Sequence, residues 1–193
     1  MEKVIMKNRP CEKEVYDTVY SKEKQQYIGS HQPKVDYLVK WASDAQGTVL
    51  DLGCGMGRYL KALEEIGKEV FGVELSEVCC KTYLQDLPHE NTDILSYALR
   101  GKKYNKVYSC DVLEHFPPEE LTEVLKAITN LGDKFLFLVA TGSDIHQGYD
   151  LHLSNHTFEE WEVILSKDYH ITKSIKGFHT WPYIHIFEAE KLK

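Results

Sequence analysis

The stretch TVLDLGCGMGRYLKAL, residues 48–63, poses the central question of this chain. An apolar run closes on Asp51, glycine then takes every second position (Gly53, Gly55, Gly57), and a helical pattern follows from Arg58. Glycine loses more backbone entropy on folding than any other residue, so three in one turn need a reason: a tight turn, or the close approach of another group to bare backbone. Strand, glycine turn and helix in succession form the first half of a βαβ unit. Its turn lies at the carboxyl edge of a parallel sheet, where ligands bind.

The same alternation continues downstream. Residues 69–74 (EVFGVE) read as a second strand, and Ser76 caps a helix carrying Val78, Cys79, Tyr83 and Leu84. A short third strand is expected at 92–94, a fourth at 105–110, and Pro117-Pro118-Glu119-Glu120 opens a helix through Leu131. KFLFLVA, 134–140, is a strongly apolar fifth strand, and Thr157 with Glu160 forms a capping box for a helix through Ser166. The last two strands, 171–176 and 183–190, have no helical pattern between them, so they pair as a hairpin that places one antiparallel strand in the sheet. Upstream, Val35, Leu38, Val39, Trp41 and Ala42 have helical spacing behind Pro33, while residues 1–30, dotted with Tyr16, Tyr20 and Tyr27, form a helical or irregular lead-in. The expectation is one α/β domain over 1–193, with 1–47 a helical lead-in or lid and 48–193 the core.

Composition narrows the class. A chain of 193 residues, 42% hydrophobic and 27% charged, can bury one substantial core and has the balance of a soluble globular domain. No apolar run is long enough to span a bilayer, and the first residues lack a signal-peptide core. Five cysteines (Cys11, Cys54, Cys79, Cys80, Cys110) show no CxxC pair, which points to a reducing, cytoplasmic setting. A net charge of -7 disfavours an extended nucleic-acid surface, and the cluster Arg100, Lys102, Lys103, Lys106 reads as a solvated edge.

What approaches the glycines? A dinucleotide fold asks for G-x-G-x-x-G and a pyrophosphate at the helix N-terminus, but here the pattern is G-x-G-x-G behind Asp51. A carboxylate repels a pyrophosphate and attracts an ammonium. The absence of GKS or GKT removes a P-loop. An adenosine carrying an amino acid and no phosphate fits. VLDLGCGMGRYL, FGVELS and CDVLEHFPPEEL, in this order and spacing, resemble the class I S-adenosylmethionine-dependent methyltransferases of the VLDxGCGxGxxL group. The resemblance covers residues 48 to about 140 well and the rest loosely. It implies a Rossmann-like seven-stranded sheet of order 3-2-1-4-5-7-6, the last inserted strand antiparallel, with helices on both faces.

It also implies roles. Asp51, Gly53, Cys54 and Gly55 surround the methionine part of S-adenosylmethionine, Glu74 takes the ribose hydroxyls and Leu75 flanks the adenine. Asp93 and Ile94 bracket the adenine, although Asp93 reads equally as a plain helix cap. Cys110 ends the fourth strand, and residues 110–115 pass beneath the sulfonium, which makes His115 the candidate proton acceptor. Cys54 suits a tight loop rather than nucleophilic duty, and Tyr20 and Tyr27 are lid candidates. The N/D/S-P-P-Y/F motif of amide and exocyclic-amine methylating relatives is missing. CDVLEHF instead resembles the D/E-x-x-E-H version of ubiquinone-pathway O-methyltransferases and small-RNA 2′-O-methyltransferases, in which such residues hold a divalent metal. Asp111, Glu114, His115, His152 and His156 form the corresponding set, with Asp111 shorter than the usual glutamate; no metal ligand is assigned from them. His146, Tyr149, His152 and His156 fall on one long loop after the fifth strand, and His179, Trp181, Tyr183 and His185 on the last hairpin, both candidate rims of an acceptor pocket.

The expected function is methyl transfer from S-adenosylmethionine, leaving S-adenosylhomocysteine, to oxygen or nitrogen of a small-molecule or nucleoside-like acceptor. A metal-assisted RNA-end 2′-O-methyltransferase and a non-catalytic cofactor-binding module are the alternatives. The expected partner list holds the acceptor and no membrane, with the chain a monomer or homodimer.

Overall fold

The computed structural model describes residues 11–22, 32–146 and 149–192. Tyr27 lies outside the described residues, as do the side chains of His146 and Tyr149. Two helices, α1 (Glu12–Lys22) and α2 (Gln32–Ala42), precede β1 (Val49–Leu52), α3 (Arg58–Glu65), β2 (Val70–Glu74), α4 (Glu77–Tyr83), β3 (His89–Asn91) and α5 (Ile94–Ala98). Then come β4 (Lys106–Cys110), a 3₁₀ turn (Leu113–His115), α6 (Pro118–Ile128), β5 (Lys134–Ala140), the two-residue strands β6 (Ile145–His146) and β7 (Tyr149–Asp150), α7 (Phe158–Leu165), β8 (Tyr169–Ile175) and β9 (Ile184–Lys191).

Alternation along β5 shows how the layers assemble. Phe135, Phe137 and Val139 enter one apolar core with Leu121, Val124, Leu125 and Ile128 of α6 and Trp161 and Leu165 of α7. Leu136 and Leu138 enter the other, with Leu38 and Ala42 of α2, Leu60 and Leu63 of α3 and Cys80 of α4. A period of two on a strand buried on both faces requires helices above and below.

The large sheet runs β3-β2-β1-β4-β5-β9-β8. Numbered within that sheet alone, this is the anticipated order 3-2-1-4-5-7-6. β1 pairs parallel with β2 (Val49↔Val70) on one side and β4 (Val49↔Lys106) on the other, so the strand order reverses between β1 and β4, and the crevice of such a sheet lies outside their carboxyl ends. β9 returns antiparallel beside β5 from Lys134↔Glu190 to Ala140↔Ile184. β8 closes the edge with a bulge between Ile171 and Lys173.

Local signals explain most boundaries. Ser76 caps α4 by accepting from the Cys79 amide, and the Thr157–Glu160 capping box opens α7. The third strand is displaced from its expected position at 92–94 to His89–Asn91. The Thr92 amide makes a last bond to the Glu74 carbonyl at 3.1 Å, and Asp93 then turns the chain into α5. α6 ends at Ile128, short of Leu131, with Thr129 as its C-cap.

Phe137 is fully buried, stacked 6.0 Å from Phe135 and meeting Tyr169 edge-on at 5.1 Å. Phe137→Ala is expected to lower stability by about 3–5 kcal/mol in urea unfolding; a loss under about 1 kcal/mol would mean the β5 core is not the packed centre of the domain.

Candidate active site

The glycine turn grows directly out of β1. The Gly53 and Cys54 amides both donate to the Val73 carbonyl, at 2.8 and 3.0 Å, which bends the chain back over β2. Gly53 has φ +79°, and a Cβ there would stand 2.5 Å from Val112 Cγ2. Gly55, at φ +49°, carries the Tyr20 hydroxyl 2.9 Å from where its Cβ would be. The bare backbone is therefore approached from above by α1 and from below by the segment after β4. Left-handed conformation and crowding together leave glycine as the residue that fits.

Two acids flank this turn. Asp51 is 1% exposed; its Oδ2 accepts from the Tyr108 hydroxyl at 2.7 Å, while Oδ1 has no hydrogen-bond partner among the described residues. Burial pushes its carboxyl up to about 8, the Glu74 charge adding and the Tyr108 bond opposing. Glu74 is 5% exposed and is gripped by two amides, Gly55 N–H on Oε2 at 2.9 Å and Ser76 N–H on Oε1 at 2.8 Å. Burial raises its pKa against those bonds. Leu75, half-buried, follows at the mouth of the turn, its carbonyl accepting from Asn91 Nδ2 at 2.9 Å.

The remaining residues expected from the sequence divide into those that face the crevice and those that do not. The Cys54 side chain packs into the core against Gly72, and Cys110 is buried in the same core. Burial pushes both thiols well up, so neither offers a thiolate. Ile94 packs into the opposite core, and exposed Asp93 accepts from the Ser96 amide at 2.7 Å, which caps α5. Cys11 is exposed at the start of α1, while Cys79 and Cys80 are buried in α4.

The segment after β4 is held by long-range contacts. Asp111, a non-glycine residue at φ +54°, pairs through Oδ2 with Lys34, a lysine 3% exposed in α2, and Lys34 lies 5.8 Å from the Trp181 ring centroid. Glu114 is fully buried; Oε1 accepts from the Ala140 amide at 2.8 Å and Oε2 has no partner among the described residues. Burial, and then the Asp111 charge, lift its carboxyl to about 8. His115 Nδ1 lies 3.0 Å from the Leu151 carbonyl, and His152 Nδ1 lies 2.7 Å from that of Gly142. A carbonyl accepts only from N–H, so both imidazoles carry a proton on Nδ1, which leaves Nε2 as the atom each can offer a ligand. The rings meet edge-on at 4.9 Å, and burial with the neighbouring His152 lowers His115 to about 4. Glu114, His115 and His152 offer ligand atoms within 4.8 Å of one another. Of the wider set read from sequence, Asp111 is engaged by Lys34 and His156 packs on Trp161 at 5.3 Å, so neither joins this cluster.

On the last hairpin, Trp181 lies beside Lys34, and the Tyr183 carbonyl accepts from the Thr141 amide at 2.8 Å, just past β5. His185 accepts from the Gly177 amide at 3.0 Å inside the hairpin. Lys34 and Tyr108 are site residues that the sequence reading missed. Lys34 did leave a trace, as a lysine four residues before Leu38 on the apolar stripe of α2.

With this geometry in place, comparison with known proteins identifies the family. A family profile described as "Methyltransferase domain" matches residues 23–187. The chain belongs to the class I S-adenosylmethionine-dependent methyltransferase family. A magnesium-protoporphyrin O-methyltransferase of Synechocystis sp. is 31% identical over 124 residues, covering 56% of this chain and 52% of that protein. The chain thus spans about half the length of the curated relatives it matches. The crystal structure of magnesium protoporphyrin IX methyltransferase from Synechocystis with bound S-adenosylhomocysteine superposes with TM-score 0.65 at 23% identity, over 84% of each chain. The Burkholderia thailandensis 1,6-didemethyltoxoflavin-N1-methyltransferase superposes with TM-score 0.73 at 15% identity, over 94% of this chain and 87% of that one. At these identities the structures bear on the fold.

The burial of Asp51 makes the stability of the ligand-free chain depend on pH. Between its unfolded pKa of about 3.9 and the folded value of about 8, the folded state keeps a proton that the unfolded chain has released, so stability falls as pH rises across that window. Asp51→Asn removes the ionisation, and its melting temperature should gain on the parent progressively from pH 5 to pH 8. A constant difference would show that ionised Asp51 is already compensated.

Proposed function

We propose that the chain binds S-adenosylmethionine in the crevice between β1 and β4 and transfers its methyl group to oxygen or nitrogen of a small-molecule or nucleoside-like acceptor, releasing S-adenosylhomocysteine. The observation that carries this reading is the pair of buried carboxyl groups around the glycine turn, one of them with an oxygen unpartnered among the described residues. Asp51 Oδ1, buried and unsatisfied, suits the ammonium of an amino acid, which supplies both charge and N–H donors. Each Glu74 oxygen spends one lone pair on an amide and keeps another for a vicinal diol. Gly53, Cys54, Gly55 and Cys110 contribute backbone, Leu75 an apolar edge for the adenine, and Asp93 and Ile94 the far side of that base.

The sulfonium supplies a methyl carbon whose leaving group is already attached. The protein's work is to align the acceptor, exclude water and receive its proton. His115 is arranged for the last task. The Leu151 carbonyl holds its Nδ1–H, and burial keeps the ring neutral, so Nε2 has a lone pair at every pH above about 4. Calorimetry with S-adenosylhomocysteine should show Asp51→Ala and Glu74→Ala weakened about 100-fold or more, the scale of two charged hydrogen bonds lost. Preference for a nicotinamide dinucleotide or a nucleoside triphosphate would overturn the reading. Labelled S-adenosylmethionine with a panel of a tetrapyrrole carboxylic acid, a catechol, a heteroaromatic amine and a short RNA identifies the acceptor class. Tight cofactor binding without turnover across a broad panel favours a non-catalytic module.

One observation favours the metal-assisted variant: two imidazoles oriented by backbone carbonyls and a buried carboxyl group, one of whose oxygens has no partner among the described residues, offer ligand atoms within 4.8 Å of one another. Glu114, His115 and His152 would hold the ion. This mixed set suits zinc, manganese or cobalt better than magnesium, and the ion would lower the pKa of an acceptor hydroxyl. Calorimetry with zinc and the visible spectrum with cobalt should show one bound ion that His152→Ala removes. No uptake, or uptake indifferent to that change, ends the metal reading.

A further inference from the structure

Helix α1 lies over the crevice. Its sequence EKEVYDTVYSK places Val15 and Val19 one turn apart, both buried, with Tyr16 and Tyr20 one position on, and the helix packs along α4. Tyr20 reaches over Gly55 with its hydroxyl and faces Tyr83 at 6.4 Å, while the Tyr16 ring meets His115 edge-on at 5.8 Å. One helix therefore touches the glycine turn and the segment after β4.

Between those contacts, Asp17 makes a third. Its Oδ1 accepts from Ser76 Oγ at 2.6 Å and from the Val78 amide at 3.1 Å, and Lys13 joins Asp17 at 2.9 Å to Glu77 at 3.5 Å. Ser76 is the relay. Its hydroxyl donates to Asp17 and accepts from the Cys79 amide at 3.1 Å, and its own amide donates to Glu74 at 2.8 Å. A continuous path runs from α1 through Ser76 to the carboxylate between the two turns. Although burial pulls the other way, the bonds from Lys13, Ser76 and Val78 hold the Asp17 carboxyl below its ordinary range, so the path persists at neutral pH.

We propose that α1 is a strap across the bound nucleoside–amino-acid cofactor and that Asp17 is the positioning residue that latches it, acting through Ser76 on the Glu74 carboxylate. This rests on the cofactor reading given above. With Glu74 5% exposed and Tyr20 over Gly55, a ligand that sets its diol on Glu74 lies between the glycine turn and α1. It leaves only when α1 lifts. Asp17 belongs to the strap and commits its carboxylate to Ser76, Val78 and Lys13, so its loss acts on how long the ligand stays.

The test uses the full chain and S-adenosylhomocysteine as probe, with surface-plasmon kinetics and amide hydrogen exchange. Asp17→Ala should raise the dissociation rate about tenfold with little change in association, since interface weakening falls mainly on dissociation. Asp17→Asn, which keeps an acceptor oxygen for Ser76 and Val78, should recover most of the loss. In the parent chain the probe should slow exchange in residues 12–22. An unchanged dissociation rate in Asp17→Ala, or a lowered melting temperature as its sole effect, overturns the latch. So does exchange in 12–22 that ignores the probe, a measurement that needs no variant to fold. A parent chain that fails to bind the probe removes the cofactor reading and the latch together, whereas binding with α1 indifferent removes the latch alone.

Discussion

A buried carboxylate held by two backbone amides is the constraint on which this structure turns. Glu74 ends β2 inside the protein, and the Gly55 and Ser76 amides are what make that burial tolerable. Those two donors come from different turns, one after β1 and one after β2, so the carboxylate fixes their separation. The parallel register of β1 on β2, with Val73 accepting from both Gly53 and Cys54, brings the turns within reach. Gly53 and Gly55 must then be bare, because Val112 and Tyr20 fill the space their side chains would take.

The crevice works against stability, and the rest of the domain offsets it. Asp51 and Glu114 are both deep, both raised to about 8 and both left with one oxygen unpaired among the described residues. Asp111 sits at positive φ without being glycine. Departures of this kind from local rules gather where ligands are handled. The compensation is visible in β5, whose six residues after Lys134 are buried and feed apolar side chains alternately to two cores.

How much of this could be read beforehand depended on whether the signal was local. β5 and the α7 capping box were legible because each is carried by neighbouring residues: an unbroken apolar run, and Thr157 three positions before Glu160. β3 was misplaced because His-Glu-Asn has no apolar face, and only its backbone pairing with β2 makes it a strand. The hairpin of β6 and β7, two residues a side, has no period to detect. At the crevice, Asp51, Glu74 and His115 stood out by motif. Long-range partners did not: Tyr108 lies 57 residues from Asp51, Lys34 lies 77 from Asp111, and Asp17 lies 59 from Ser76. No window of sequence spans such pairs. Of the metal candidates, Glu114 and His115 were adjacent in the chain, whereas the choice of His152 over His156 needed the loop's path past the Gly142 carbonyl.

The thiols carry a practical consequence. Four of the five are enclosed in the protein, with burial pushing Cys54, Cys79 and Cys110 far up and Cys80 to about 11, while Cys11 stands in solvent one residue ahead of α1. Alkylating dyes react with thiolates they can reach. Labelling the native chain thus decorates one position, at the start of α1, and gives a fluorescent reporter of the movement proposed for that helix without any engineered cysteine.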